Sequence, residues 1–112
     1  MRLTIVDRTK MLDDTQRDFI QRRILFALSR FDVRLRGVSV VIADENGPRG
    51  GVDKTCRIIV RLRRLGDIVV TDRDREVGAC VSRAAERAGR AVQREVERQR
   101  RPSSSSFTLK MP

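Results

Sequence analysis

Apolar and polar residues alternate with a period of two in four short segments of this chain. A period of two sends successive side chains to opposite faces of a β-strand, so each segment is predicted to be a strand. The third segment is the clearest, and its apolar positions are Cys56, Ile58, Val60 and Leu62. The other predicted strands are residues 2–6, 38–43 and 68–71.

Two longer segments instead repeat their apolar residues every three or four positions, which is the period of an amphipathic helix. The first helix is predicted over residues 14–30, because Asp13 and Asp14 supply N-cap oxygens and negative charge at its start. Its inward stripe comprises Ile20, Ile24, Ala27, Leu28 and Phe31. Phe19 and Phe26 flank this stripe, and we expect both to contact a neighbouring element.

The second helix is predicted to begin near Asp74 and to end at Pro102, which cannot continue a helix. Its buried stripe is made of small residues: Val77, Val81, Ala84, Ala88, Val92 and Val96. Gly78 and Gly89 weaken the helix slightly but permit close approach to its support. We therefore expect this helix to lie tightly against the sheet.

Turn-forming sequences separate the last three strands. Residues 44–51 contain Asn-Gly-Pro and Gly-Gly, and residues 65–67 form a second turn, so these strands should form an antiparallel meander. The first strand reaches the second through a helix, which predicts a right-handed parallel crossover. The predicted fold is α+β: a two-layer β-α-β-β-β-α sandwich with both helices on one face of a four-stranded mixed sheet, a topology like that of double-stranded-RNA-binding domains. Residues 1–101 are predicted to form this domain, and residues 102–112 a flexible Ser-rich tail.

The excess of basic residues indicates that this domain needs an anionic partner. Lys plus Arg total 25 against 15 Asp plus Glu, which gives a formal net charge of +10. Such an excess repels itself unless a nucleic acid or an anionic surface relieves it. Nearly all the basic residues are Arg, whose planar donor fork suits phosphates. A GC-rich genome also favours Arg and is the alternative explanation.

Other function classes find little support in the residues. The chain has no His, and no Gly-rich phosphate loop, nucleophile elbow or metal-ligand cluster is recognisable. We therefore predict a protein that is not an enzyme and uses no cofactor or small-molecule substrate. Cys56 and Cys80 are interpreted as small core residues, with a disulfide as the alternative. No signal peptide or membrane span is apparent, which predicts a cytoplasmic protein without a membrane partner.

The most ordered part of the charge is a row of arginines on the second helix, here called the arginine ridge. It consists of Arg83, Arg87, Arg90, Arg94, Arg98 and Arg101. Their spacings of three and four place them opposite the valine and alanine stripe, along about 27 Å of helix. Phosphates of an RNA strand could bind several of them at once. The alternative is an ordinary solvated helix face.

The open face of the sheet is a rival binding surface. Its predicted basic residues are Arg2, Arg57, Arg61 and Arg63. It lacks the exposed aromatic residues on which RNA-binding sheets stack bases. The sequence therefore favours recognition of the backbone and shape of structured RNA over readout of unstacked bases.

Three segments resemble the ribosome hibernation promoting factors and ribosome-associated inhibitors, in their short form. These are RLTIVDRTKMLDD, TQRDFIQRRILFALSRF and DIVVTDRDREVGACVSRAAERAGRAVQREVERQR. The sequence departs from the family pattern near the start of the last helix, where Val77 and Gly78 replace a frequent Tyr or Met. The loop at residues 44–53 is also longer and richer in Gly than is usual.

The resemblance implies a partner and a role. Family members bind the small ribosomal subunit and its rRNA between head and body, block the path of mRNA and tRNA, and silence translation under stress. By position, the resemblance implies RNA contacts at Arg22, Arg23, Arg87, Arg90 and Arg94. Arg83 and Arg98 extend this set through their spacing alone.

Two alternatives stay open at this point. One is a general structured-RNA-binding protein or RNA chaperone. The other is a regulatory interaction module that does not bind RNA and whose arginine content reflects genome composition.

Overall fold

The computed structural model describes residues 1–44 and 54–100. Its elements, in chain order, are β1 (Arg2–Asp7), α1 (Asp14–Leu28), a 3₁₀ helix (Ser29–Arg34), β2 (Leu35–Asp44), β3 (Lys54–Leu62), β4 (Asp67–Asp74) and α2 (Val77–Arg100). The predicted turn after Asp44, the helix end at Pro102, the residue Arg101 and the predicted tail lie outside the described residues.

The four strands form one mixed sheet in the order β1-β2-β3-β4. β1 pairs in parallel with β2, while β2, β3 and β4 pair antiparallel. Because β1 and β2 are parallel neighbours, the chain between them has to cross over the sheet, and α1 makes this crossover. The predicted β-α-β-β-β-α order and α+β class are confirmed.

The core lies between one face of the sheet and both helices. α1 contributes Ile20, Ile24 and Leu28, and the 3₁₀ helix contributes Phe31. The inward residues of the strands and of α2 complete the same cluster: Leu35, Val38, Val40, Ile42, Cys56, Ile58, Val60, Leu62, Val70, Cys80, Val81, Ala84, Ala85, Ala88, Val92 and Val96. Since both helices share this one core, they lie on the same side of the sheet, and the opposite side is open.

The start of α1 follows the sequence closely. Asp13 is the N-cap: its carboxylate accepts the backbone N–H of Gln16, whose side chain accepts the N–H of Asp13 in return. This reciprocal capping box satisfies two of the donors that a helix start leaves unpaired. The α-helix ends at Leu28, two residues before the predicted end, and the chain tightens into the 3₁₀ helix that buries Phe31.

The loop before α1 is organised around one carboxylate. Asp7 accepts hydrogen bonds from the backbone N–H groups of Thr9, Lys10 and Leu12 and from the Thr9 hydroxyl. Its side chain is only 4% exposed. Burial by itself raises the pKa of Asp7, but these hydrogen bonds together outweigh it and hold the pKa below its usual value.

The second helix begins later than predicted. β4 continues to Asp74, because Lys54 at the start of β3 provides its partner there. The Asp74 carboxylate then accepts the backbone N–H of Glu76 and turns the chain into α2 at Val77. Asp74, near which the helix was predicted to begin, is therefore the last residue of β4.

Two predicted side-chain positions are wrong. Phe26 is 79% exposed, since two residues correspond to about 200° around a helix and place it opposite the buried Ile24. Arg63 lies in the turn after β3 rather than on the sheet face, and its Nε donates to the carbonyl of Val33 at 3.1 Å. Phe19 does pack against the core, as expected.

Gly78 and Gly89 were expected to let α2 approach its neighbours closely, and such an approach occurs at Gly89. A β-carbon at this position would lie 3.2 Å from the carbonyl oxygen of Ala27 on α1, which is tighter than ordinary contact. At Gly78 the same β-carbon would meet the ring of Phe19 at an ordinary 3.7 Å. Gly89 is thus a point at which the backbones of the two helices approach closely.

Candidate nucleic-acid interface

The described part of the arginine ridge lies along the solvent side of α2. Its five residues, Arg83, Arg87, Arg90, Arg94 and Arg98, are all exposed. The buried small residues of α2 occupy the opposite side and pack on the sheet. The sequence spacing therefore produces the continuous row that was predicted, but its members have different surroundings.

The first two members are tied to β4. Arg83 contacts the carboxylates of Asp72 and Asp74, each at 3.0 Å, and donates to the Arg73 carbonyl at 2.9 Å. Arg87 donates to the carbonyl of Thr71 at 3.0 Å. β4 is an edge strand, and its outward carbonyls would otherwise be open to pairing with another chain.

The contacts between Arg83, Arg87 and β4 also shift the pKa values of the groups involved. Hydrogen bonding from Arg83, with its charge and that of Arg87, holds the pKa of Asp72 below its usual value against the opposing effect of partial burial. The pKa of Arg83 is raised in return by Asp72 and Asp74. Much of the charge on Arg83 is therefore neutralised by the protein itself.

Arg90, Arg94 and Arg98, here called the outer half of the ridge, have fewer acidic partners than Arg83. Within α2, Arg90 lies 4.0 Å from the exposed Glu86, and the exposed Arg98 lies 3.4 Å from the half-buried Glu95. Such pairs are weak in water and exchange readily for a phosphate. Within residues 1–44 and 54–100, Arg94 has no ion pair or hydrogen bond.

The two predicted residues on α1 are separated by the fold. Arg22 points to solvent and pairs with Asp18 at 3.1 Å. Arg23 reaches α2 instead, where its Nε donates to the Ser82 hydroxyl at 3.3 Å and a terminal nitrogen donates to the Ser82 carbonyl at 3.2 Å. Arg23 is therefore fixed beside α2, whereas Arg22 makes only an exposed pair within α1.

A groove of about 340 Å³, here called the interhelical groove, lies between α1 and α2. Its lining residues are Arg23, Phe26, Ala27, Arg30, Glu86, Gly89 and Arg90. Arg30 is held across the groove by Gln93, to which it donates at 3.0 Å. The groove joins the basic sides of both helices. Phe26, Arg30 and Glu86 also line it, although none of the three was among the residues predicted to contact RNA.

Arg90 also lines a second groove, which runs between α2 and β4. There it lies with Arg87 and Arg94 above Ile68, Val69 and Val70. Arg90 is thus the residue that the two concave surfaces share. Of the seven predicted site residues, the structure brings Arg23, Arg87, Arg90 and Arg94 into these two grooves and leaves Arg22, Arg83 and Arg98 outside them.

The open sheet face carries basic and small residues in neighbouring rows. Arg2 and Arg61 lie at one end, in register with Gly37 and Asp67, and Arg57 lies further along β3. Arg61 donates to the Ser39 hydroxyl at 3.1 Å. The described strands contain no aromatic residue, so this face offers arginines but no stacking platform.

The two cysteines occupy the core, as predicted. Both are buried and neither forms a disulfide. The thiol of Cys80 donates to the Asp72 carbonyl at 3.2 Å, beside the position where Asp72 pairs with Cys56. Contact with Cys80 and burial both raise the pKa of Cys56, so this thiol stays protonated.

Residues 1–44 and 54–100 contain no group of three or more His, Cys, Asp or Glu side chains arranged to hold a metal ion. Neither of the α-helices described has the combined length and apolar character that a membrane crossing requires.

Comparison with solved structures identifies the architecture. The N-terminal domain of protein Y from Thermus thermophilus matches with a TM-score of 0.64 and 22% sequence identity, covering 84% of this chain and 98% of that one. A ribosomal subunit interface protein from Coxiella burnetii matches with a TM-score of 0.72 and 8% identity, covering 87% and 99%. This chain has the fold of these two proteins.

The likeness lies in the structure and not in the sequence. No protein-family model matches the sequence, and no curated protein matches it either. Because the identities are only 22% and 8%, these matches establish the fold alone. Function has to be argued from the side chains of this protein. Since each match covers nearly the whole of the compared chain, the shared unit is the complete β-α-β-β-β-α domain.

Proposed function

We propose that this protein is a ribosome-associated translation inhibitor of the hibernation type, which binds small-subunit rRNA through the arginine ridge and the neighbouring side of α1. The observation that carries the proposal is the outer half of the ridge. Arg90, Arg94 and Arg98 stand in a row on a rigid helix, with only weak pairs or none to compete with phosphates. The fold that presents them is also the fold of a ribosomal subunit interface protein.

Rigidity is what makes a row of arginines effective. Each phosphate contact releases condensed counterions, and a row that is already aligned loses little conformational freedom on binding. α2 is aligned by its small-residue stripe against the sheet and by the contacts of Arg83 and Arg87 with β4. These two residues support the ridge, while the outer residues meet the RNA.

Inhibition in this proposal is steric. A folded domain bound in the path of mRNA and tRNA excludes them without any chemical step, so no catalytic group is required. Phosphate contacts position a protein on RNA but do not read sequence. The shape of the small subunit therefore has to supply the specificity, and a rigid two-layer domain suits such a cleft.

Sedimentation tests the proposal. Lysates from growing and from starved cells are separated on sucrose gradients at low salt, and each fraction is probed for the protein. We expect the protein in the small-subunit and whole-ribosome fractions, with a larger share after starvation. Its absence from both fractions under both conditions would contradict the proposal.

A general structured-RNA-binding protein is the second candidate, and the purely basic character of the ridge favours it. Arginines that contact phosphates alone bind any duplex of suitable shape. Titration of the protein with duplex RNA and with purified small subunits separates the two functions. A marked preference for the subunit supports the ribosomal role, and equal affinity supports the general one.

A further inference from the structure

Phe26 is an aromatic side chain that the fold leaves in solvent. It is 79% exposed on α1 and stands at the rim of the interhelical groove. The guanidinium of Arg23 lies over the ring, 5.7 Å from its centroid. The ring stabilises neither the core nor a described contact between elements, so its apolar surface is open to a ligand.

The arginines around Phe26 are held in place by α2. Arg23 is bonded to Ser82 and Arg30 to Gln93, both across the helix–helix contact. Arg90 completes the basic lining, and Glu86 is the single acidic residue in the groove. The site therefore combines a net positive charge with an aromatic face, and its cations are positioned before any ligand arrives.

This combination selects one chemical class of ligand. Phosphate alone needs the arginines but not the ring, and an apolar peptide needs the ring but not three cations. An unstacked nucleotide needs both, because its base stacks on aromatic and guanidinium planes while its phosphate binds Arg. Ala27 and Gly89, two small residues, also line the groove, and its volume of about 340 Å³ leaves room for a flat base beside the ring.

We propose that the interhelical groove binds one unstacked nucleotide of the RNA, with its base against Phe26 and its phosphates on Arg23, Arg30 and Arg90. This inference rests on the proposed RNA-binding function. It adds a contact with a base to a surface that otherwise contacts only phosphates. The bound RNA is then expected to present a bulged or single-stranded nucleotide beside the duplex that meets the ridge.

The chain itself offers a clean reporter. It contains no Trp and no Tyr, so Phe26→Trp introduces the only strongly fluorescent side chain. The variant is titrated with a short single-stranded oligocytidine and with an abasic RNA of the same length. We expect the oligocytidine to quench the fluorescence and the abasic RNA to leave it nearly unchanged. Equal quenching by both, or none by either, would overturn the proposal.

Met11→Trp is the matched control. Met11 is another exposed apolar residue, in the loop before α1, and it does not line the groove. Its fluorescence should not distinguish the two RNAs. A base-dependent signal from Met11→Trp equal to that from Phe26→Trp would show that the quenching is unrelated to the groove and would overturn the proposal.

A binding measurement separates this inference from the proposed function. Phe26→Ala should lower the affinity for small subunits about 5- to 100-fold, the range expected for loss of one stacked base, while Phe26→Trp retains it. The fold should survive both, since the side chain is exposed. If Phe26→Ala binds small subunits as tightly as the wild type, the inference fails and the ribosomal role stands. If the wild type does not bind them at all, the ribosomal role fails, and the fluorescence test alone decides the groove.

Discussion

Asp72 is the carboxylate on which the inner end of the arginine ridge depends. It accepts two hydrogen bonds from Arg83, at 3.2 and 3.0 Å, and its side chain is largely shielded from solvent. Asp7 has a similar role in the loop before α1, where four donors converge on it. In both cases one acidic residue orders a neighbouring segment of a strongly basic protein.

Replacing Asp72 should destabilise the protein in a way that depends on pH. The folded pKa of Asp72 is lowered, so its stabilising effect is present above its ordinary pKa of 3.8 and is lost as the pH falls through the lower folded value. Since Arg83 is about half exposed, we expect Asp72→Asn to lower the free energy of unfolding by only about 0.5–1.5 kcal/mol at pH 7. Urea unfolding should show this difference at neutral pH and a smaller one in acid. A difference that grows on acidification would contradict the assignment.

The loop before α1 gives a second test at the scale of single residues. Asp7→Ala leaves three backbone N–H groups without their acceptor, and we expect a loss of about 2–3 kcal/mol in the free energy of unfolding. Asp18→Ala is the matched control, because Asp18 only pairs with the exposed Arg22 and its loss should cost less than about 0.5 kcal/mol. Thermal unfolding followed by circular dichroism measures both, and equal effects would refute the role of Asp7.

At the scale of elements, the helices and strands were predictable because their periods reflect burial on one face. The N-cap at Asp13 was also predictable, because capping joins residues that are close together along the chain. The end of β4 could not, since its extension to Asp74 depends on Lys54, a residue on another strand. The exposure of Phe26 was not predictable, because its position beside the buried stripe does not show whether another element covers it.

The contact between the helices at Gly89 leads to a prediction at this scale. Gly89→Leu would force side-chain atoms against the Ala27 carbonyl, so we expect a loss of about 1–3 kcal/mol in the free energy of unfolding. Gly66→Ala is the control, because a β-carbon there meets nothing within 4 Å. Chemical denaturation measures both variants. A Gly89→Leu protein as stable as the wild type would mean that the helices do not need this close approach.

At the scale of the whole molecule, a net charge of +10 is distributed over two faces that differ in chemistry. The helical side carries the arginine ridge and the interhelical groove, and the open sheet carries Arg2, Arg57 and Arg61. Spacing along one helix was enough to predict the ridge. The contacts that tie Arg83 and Arg87 to β4 were not predictable, since they join residues of different elements. Among the ridge residues that the structure describes, these contacts leave Arg90, Arg94 and Arg98 with weak pairs or none, and these three are the ones that we propose to bind RNA.

RNA binding through the helical side is tested most directly by two variants that change the charge of the helical side and of the open sheet equally. One variant carries Arg90→Glu, Arg94→Glu and Arg98→Glu, which leaves the contacts of Asp72 intact. The other carries Arg2→Glu, Arg57→Glu and Arg61→Glu on the open sheet. Both change the net charge by the same amount, and circular dichroism checks that both remain folded.

The measurement is the equilibrium affinity of each protein for purified small ribosomal subunits at a fixed salt concentration. We expect the ridge variant to bind at least about a hundredfold more weakly than the wild type, since each lost phosphate contact is charge-assisted. The sheet variant should stay within a few-fold of the wild type, because screening limits the effect of distant charges. Equal losses in both variants, or a greater loss in the sheet variant, would contradict the account.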